Sequence, residues 1–283
     1  MYRIFRFFKR PKIILWPLLF LLGGFLFWTT PQIANSATSD DTNSDRYVQI
    51  RSLEGTATFN GQPVKTGDRL SISETGVGLQ TGANSTATLE MDDAIGTVEV
   101  GKDSQVRIIG LDTLESGGKV TQMFLAKGRT RVRVRRFNNP DSRFEIKTPS
   151  GNAGVRGTEF GLTVLPSGET RMAVISGTVV LEGTDGEIEC SSGGGGIVFP
   201  GKPPIASGQI GEVQTIRMEL LSNQRVRVIA KVHPIHFVYL NGQEIPPNSQ
   251  GEFVAEVSIP SDRRLTVSIV DPLGREQVFE LLP

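Results

Sequence analysis

The sequence predicts an all-β protein, and three observations carry that reading. Thirty-two Gly and 16 Pro in 283 residues punctuate the chain too often for long helices and suit short strands joined by turns. Val, Ile and Thr are frequent, and their branched side chains favour pleated backbone. Apolar residues alternate with polar ones in short runs, the period of a strand that buries one face. The expected architecture is a roll or solenoid-like sandwich of short strands, followed by a smaller β-sandwich and preceded by a hydrophobic export helix.

Composition narrows the function classes. With 38% apolar residues the chain can pack one large domain or two modest ones. The formal charge is zero, but Arg3, Arg6, Lys9, Arg10 and Lys12 face no acid within residues 1–37, which leaves 25 basic against 30 acidic residues in the remainder. A mildly acidic body has no general attraction for a polyanion, so nucleic acid is not an expected partner. Cys190 is the single cysteine, which excludes an intrachain disulfide and a Cys-rich zinc site. It reads as a small strand residue, with a free thiol or an intermolecular crosslink as the alternative.

In chain order, a basic and aromatic stretch over residues 1–12 leads into the apolar run Ile13–Trp28, and Ala34, Ser36 and Ala37 follow. This is the layout of a secretory signal peptide with cleavage after Ala37. Asn35 at the cleavage site, and the extra length that Thr29–Ile33 adds, leave a retained signal-anchor as the alternative, with membrane attachment through this segment. Either way the body is translocated and is expected to be periplasmic or otherwise extracytoplasmic. Residues 1–37 are thus a signal peptide or signal-anchor, and 38–46 a flexible acidic linker, since TSDDTNSD has nothing apolar to bury.

Folded structure is expected from Tyr47. Alternating runs at Tyr47–Ile50, Gly55–Phe59, Thr86–Met91, Thr97–Val100 and Gln105–Ile109 read as strands, and Asn60-Gly61 as a hairpin corner, because both residues tolerate positive φ. The strongest local pattern is QMFLAKGRTRVRVRR, Gln122–Arg136. Side chains two apart share a strand face, so Arg129, Arg131, Arg133 and Arg135 form a ladder opposite Thr130, Val132 and Val134. One reading is a contact face for an anionic glycan, a phospholipid headgroup or an acidic partner. The other is a solvated face paired with acids such as Glu145 or Glu90, whose charge discourages aggregation.

The stretch Thr148–Val164, TPSGNAGVRGTEFGLTV, joins the strand Arg143–Lys147 to an apolar one. Pro149 lacks an N–H and ends the first ladder. Gly151, Gly154 and Gly157 are expected to permit tight turning or close backbone approach, and Arg156 and Thr158 to hydrogen-bond backbone carbonyls from buried or corner positions. Phe160, Leu162 and Val164 resume a strand. A phosphate site is disfavoured, because neither the P-loop lysine nor a following helix is present.

The ordered set Gly67-Asp68-x-Leu70, Leu79–Ala87, Gly101-x-x-Ser104, Gly128-Arg129, Thr148-Pro149 with Val155-Arg156-Gly157-Thr158-x-Phe160, and Val174-x-x-Gly177-x-Val179 resembles the periplasmic domain of the FecR family. The resemblance covers roughly Tyr47–Gly208. It implies an exported all-β module that, in iron-uptake regulators, receives a signal from an outer-membrane receptor and passes it to a cytoplasmic sigma factor. Residues 1–12 alone precede the hydrophobic segment, so the sigma-interacting region of complete regulators is expected to be missing. The resemblance makes Thr148, Pro149, Gly154, Arg156, Gly157, Thr158 and Phe160 a structural motif.

Residues 47–211 are therefore taken as the FecR-like β domain and 212–283 as a small unit. Gly193–Gly196 reads as a flexible loop and Pro200–Gly211 as the boundary. Beyond it, strands at Arg225–Val232, His236–Leu240, Glu252–Ile259, Leu265–Val270 and Gln277–Leu281, with the Asn241-Gly242 hairpin, resemble the small immunoglobulin-like sandwiches that accompany bacterial envelope proteins. His233 and His236 flank Pro234 without an evident third ligand and read as surface or strand-end residues. No nucleophile elbow or singled-out carboxylate pair occurs; catalytic residues, metals and cofactors are not expected. The functional expectation is a non-catalytic envelope protein that binds another envelope protein in signalling or assembly, the alternative being an envelope or cell-wall glycan.

Overall fold

A computed structural model of the chain describes residues 46–73, 75–92, 95–210, 215–222, 224–248 and 250–283. Residues 1–37, expected as an export segment, and the expected linker through Asp45 lie outside the described residues. Among the described residues all regular structure is strand.

The first group of strands comprises β1 (Val48–Glu54), β2 (Ala57–Phe59), β3 (Gln62–Pro63), β4 (Arg69–Leu70), β5 (Leu79–Thr81), β6 (Thr86–Met91), β7 (Gly96–Val100), β8 (Gln105–Thr113) and β9 (Lys119–Val134). It continues with β10 (Arg143–Lys147), β11 (Asn152–Val155), β12 (Glu159–Val164), β13 (Thr170–Ser176), β14 (Thr178–Gly183), β15 (Gly186–Ser191), β16 (Gly194–Val198) and β17 (Ile205–Gln209). The long strand β9 belongs to two sheets. Its first half pairs with β8 and, in parallel, with β10, inside the order β3-β2-β5-β8-β9-β10-β11-β14-β15. Its second half pairs with β7 and β12, inside β4-β1-β6-β7-β9-β12-β13-β16-β17. The inner faces enclose one core: Ile108, Met123, Leu125, Phe144 and Ile146 from the first sheet meet Ile50, Leu89, Val132, Phe160 and Leu162 from the second. The short strands thus form a sandwich that one bent strand holds together.

A bulge makes that bend. Val106 faces Leu125 and Gln105 faces Lys127, leaving Ala126 as the extra residue, and Gly128 follows at φ +91°. Bulges bend a strand and re-aim its side chains. Odd positions point inward at Met123 and Leu125, whereas even positions do so at Thr130, Val132 and Val134. The arginines therefore face outward.

Three local expectations are corrected. The tetraglycine is not a flexible loop: Gly194–Gly196 lie in the buried strand β16, where a Cβ on Gly195 would meet the Met172 carbonyl oxygen at 2.4 Å. Glycine is required there for close packing, so its conformational freedom misleads. The Pro- and Gly-rich boundary contains β17, paired with β16. Arg46, placed in the linker, belongs to the fold: its side chain is 3% exposed and bridges Asp92 at 2.7 Å, while donating to the Val120 carbonyl and to Thr121 Oγ1.

The second group is β18 (Thr215–Ser222), β19 (Arg225–Lys231), β20 (Phe237–Leu240), β21 (Gln243–Glu244), β22 (Glu252–Ser258), β23 (Leu265–Val270) and β24 (Glu276–Leu281). They form sheets ordered β18-β19-β22 and β21-β20-β23-β24 over a core of Val226, Val228, Phe253, Val238, Leu240, Val267 and Ile269. The alternation Ile216, Met218, Leu220 is the sequence signal for β18. Ile235 of this group packs with Ala173 and Ile197 of the first, and Leu273 joins them. Arg171 clamps the junction: buried at 3% exposure, it bonds Glu169 at 2.7 Å, donates to the His236 carbonyl and lies 4.6 Å above the Phe237 ring.

Candidate functional site

The second half of β9 presents the arginine ladder on the outer face of its sheet. Arg131 and Arg133 converge on one carboxylate oxygen, Glu159 Oε1, at 2.6 and 2.8 Å. Glu159 stands on β12, where it lies directly opposite Arg133. The Arg133 hydrogen bond, with that of Arg131, holds the Glu159 carboxyl below the usual range. The acids expected as partners serve elsewhere: Glu90 pairs with Arg51 at 2.9 Å and Glu145 with Arg143 at 2.8 Å. Sequence pattern could not find Glu159, since β12 reaches β9 only through the fold.

A groove of about 530 Å³ lies over this face, lined by Arg51, Thr88, Thr97, Arg131, Arg133 and Arg135 together with Glu99 and Glu159. Arg135 falls just past the strand end, is exposed, and has no ion pair among the described residues. Arg129 differs from the other three. It lines a neighbouring cleft of about 360 Å³ with Ser85, Lys102, Leu273 and Gly274. Burial lowers its affinity for the proton, and Nε is buried without a hydrogen-bond partner among the described residues. The outward ladder is therefore three open arginines and a fourth partly roofed by the turn between β23 and β24.

The motif Thr148–Phe160 is brought together as a hairpin and a sheet-to-sheet corner. Residues Asn152–Val155, expected as a glycine-rich connection, are the strand β11, paired with β10 and β14. Exposed Pro149 sits in the turn; the buried hydroxyls of Ser150, Thr170 and Thr148 are linked at 2.6 and 2.9 Å. Arg156, Gly157 and Thr158 carry the chain from one sheet to the other. Thr158 donates to the Thr178 carbonyl at 3.0 Å, and Phe160 is fully buried. Arg156 donates to the Pro140 carbonyl but is exposed, not buried, because β11 ends at the sandwich rim. A Cβ on Gly157 would lie 2.6 Å from Arg136 Cα, while one on Gly154 would meet nothing within 4 Å. Gly154 is therefore not needed for close approach.

His233 and His236 are buried, contrary to a surface placement, because they line the junction between the two strand groups. His233 Nε2 lies 2.9 Å from the Ser207 carbonyl oxygen. Burial and the nearby His233 lower the His236 pKa to about 4. Cys190 is buried in β15 and donates to the Gly195 carbonyl at 3.3 Å. No group of three or more His, Cys, Asp or Glu able to hold a metal occurs among the described residues, and no helix there is long and apolar enough to cross a membrane.

Fold and face together define an all-β module with a cationic outer face on its central strand. Residues 78–180 match the family model described as FecR protein. Two crystal structures of a candidate anti-sigma factor from Parabacteroides distasonis ATCC 8503 are 13% and 14% identical, with TM-scores of 0.39 and 0.38. Each alignment covers 46% of this chain and 58% of that one, so the chain spans less than two thirds of their length. A polysaccharide lyase is 11% identical over 84% of this chain and 39% of its own, with a TM-score of 0.21. None of these likenesses defines a shared fold. No curated protein matches the chain.

Proposed function

We propose that this chain is an exported, non-catalytic protein of the cell envelope whose FecR domain engages another envelope protein in signalling or assembly. The contact is made on the outer face of β9. The observation that carries this reading is the groove over Arg131, Arg133 and Arg135, in which one carboxylate, Glu159, serves two guanidiniums and leaves the face with unmet positive charge. Such a face recruits and orients an acidic partner. Residues 1–37 serve as export signal or membrane anchor, placing the body in the periplasm. In the C-terminal sandwich the first, second and fifth strands share one sheet and the third, fourth, sixth and seventh the other. That partition supports an immunoglobulin-like reading.

The test is photo-crosslinking in intact cells from a reactive residue at Thr97, in the groove, and from another at Glu187 on the β15 edge. A defined protein adduct from Thr97 and none from Glu187 supports the proposal. Absence of any adduct, with co-sedimentation of the full chain on purified cell wall, would instead establish the glycan reading. N-terminal sequencing of the recovered chain reads whether the signal is removed.

A further inference from the structure

We infer that the arginine face is a linear track for an extended acidic peptide with carboxylates at every second position, and that its last carboxylate is seated on Arg129 and Lys102 beneath Leu273 and Gly274. The inference rests on the proposal that the partner is a protein.

Spacing is the first reason. Three of the arginines alternate along β9 and Arg135 follows just past its end, so in extended backbone their Cα atoms repeat at about 6.7 Å and the ladder spans about 20 Å. An extended peptide repeats its alternate side chains at that same distance. The residues lining the groove include no aromatic ring on which a sugar could stack.

The second reason is the state of Arg129. A guanidinium taken out of water is costly unless an anion meets it. The two carboxylates whose charge acts on it are engaged elsewhere: Asp271 binds Arg275 at 2.6 Å, and Glu276 accepts from Ser268. Arg129 forms no ion pair among the described residues, and neither does Lys102, which lines the same cleft. Glu99 borders both the cleft and the main groove, so the two are consecutive sections of one path. An incoming carboxylate at Arg129 would supply the missing partner with charge-assisted hydrogen bonds.

The experiment is fluorescence anisotropy with the full-length chain in detergent. Probes are a labelled peptide of Thr-Glu repeats, an isomer of the same composition with its glutamates in one block, and an oligogalacturonate. The alternating peptide should bind at least fivefold tighter than the block isomer. Arg129→Gln and, independently, exposed Lys102→Gln should each weaken it about tenfold, the loss expected for one charge-assisted contact. Glu159→Gln, which frees Arg131 and Arg133, should tighten it. Equal affinity for the two isomers, or unchanged affinity in both the Arg129 and Lys102 variants, overturns the inference. Binding of the oligogalacturonate in place of both peptides overturns it in favour of glycan. A Thr97 adduct in cells without peptide binding sinks this inference and leaves the protein-partner proposal standing. Register-dependent peptide binding with no adduct and with co-sedimentation on cell wall overturns the protein-partner proposal and, with it, this inference.

Discussion

A methyl group added at position 154 finds open space, whereas one at 157 would stand 2.6 Å from Arg136 Cα. Gly157→Val should therefore cost about 1–3 kcal/mol by overpacking, while Gly154→Ala should shift the thermal midpoint by little; paired melting curves separate them. His236 gives a pH dependence. Its folded pKa, about 4, lies below the usual 6.5 because burial and His233 oppose its charge, so between those values the unfolded chain binds more protons. Stability should fall as pH drops from about 6.5 toward 4, by about 3 kcal/mol in all, and this contribution should level off below. Asp271, Arg275 and Arg171 also face this ring. Urea midpoints at neutral and mildly acidic pH should show the loss, and His236→Gln should reduce it.

At the scale of elements, β9 decides where function can lie. The bulge at Ala126 changes which parity faces the core, so Met123 and Leu125 point in while Arg131 and Arg133 point out. A one-residue slip in a strand moves every side chain to the other face. Deleting Ala126 should therefore drive the arginines toward the core and abolish cooperative folding, read as loss of a sharp thermal transition. Strand β16 makes the complementary point. Its glycines run against Met172, Leu181 and Ile188, so the strand is selected by the space available to it and not by its own propensity.

For the whole molecule, the junction between the two strand groups depends on Arg171. Its guanidinium bonds Glu169 and the His236 carbonyl over the Phe237 ring, and the arginine itself is shielded from water. Arg171→Met removes one partner of a buried pair and should cost about 3 kcal/mol, with faster proteolysis across residues 198–215 as the local readout. The same packing brings Gly274 over Arg129 and makes the open arginine face shorter than the ladder of four.

Much of this was legible in the chain. Alternation marks β6, β9, β12, β19 and β23, and Asn60-Gly61 and Asn241-Gly242 take the positive φ values that tight hairpins require. These signals are local: a strand's period and a turn's dihedral angles are set by neighbouring residues. The sequence by itself thus determined the all-β class, the FecR motif and a strand with alternate arginines. Tertiary structure alone decided that Glu159 pairs with two of those arginines, that Arg129 is roofed by a distant turn, that the histidines are buried and that a run of glycines is core. Each of these depends on which strands become neighbours across long stretches of chain, and that choice is made by the packing of the whole sandwich.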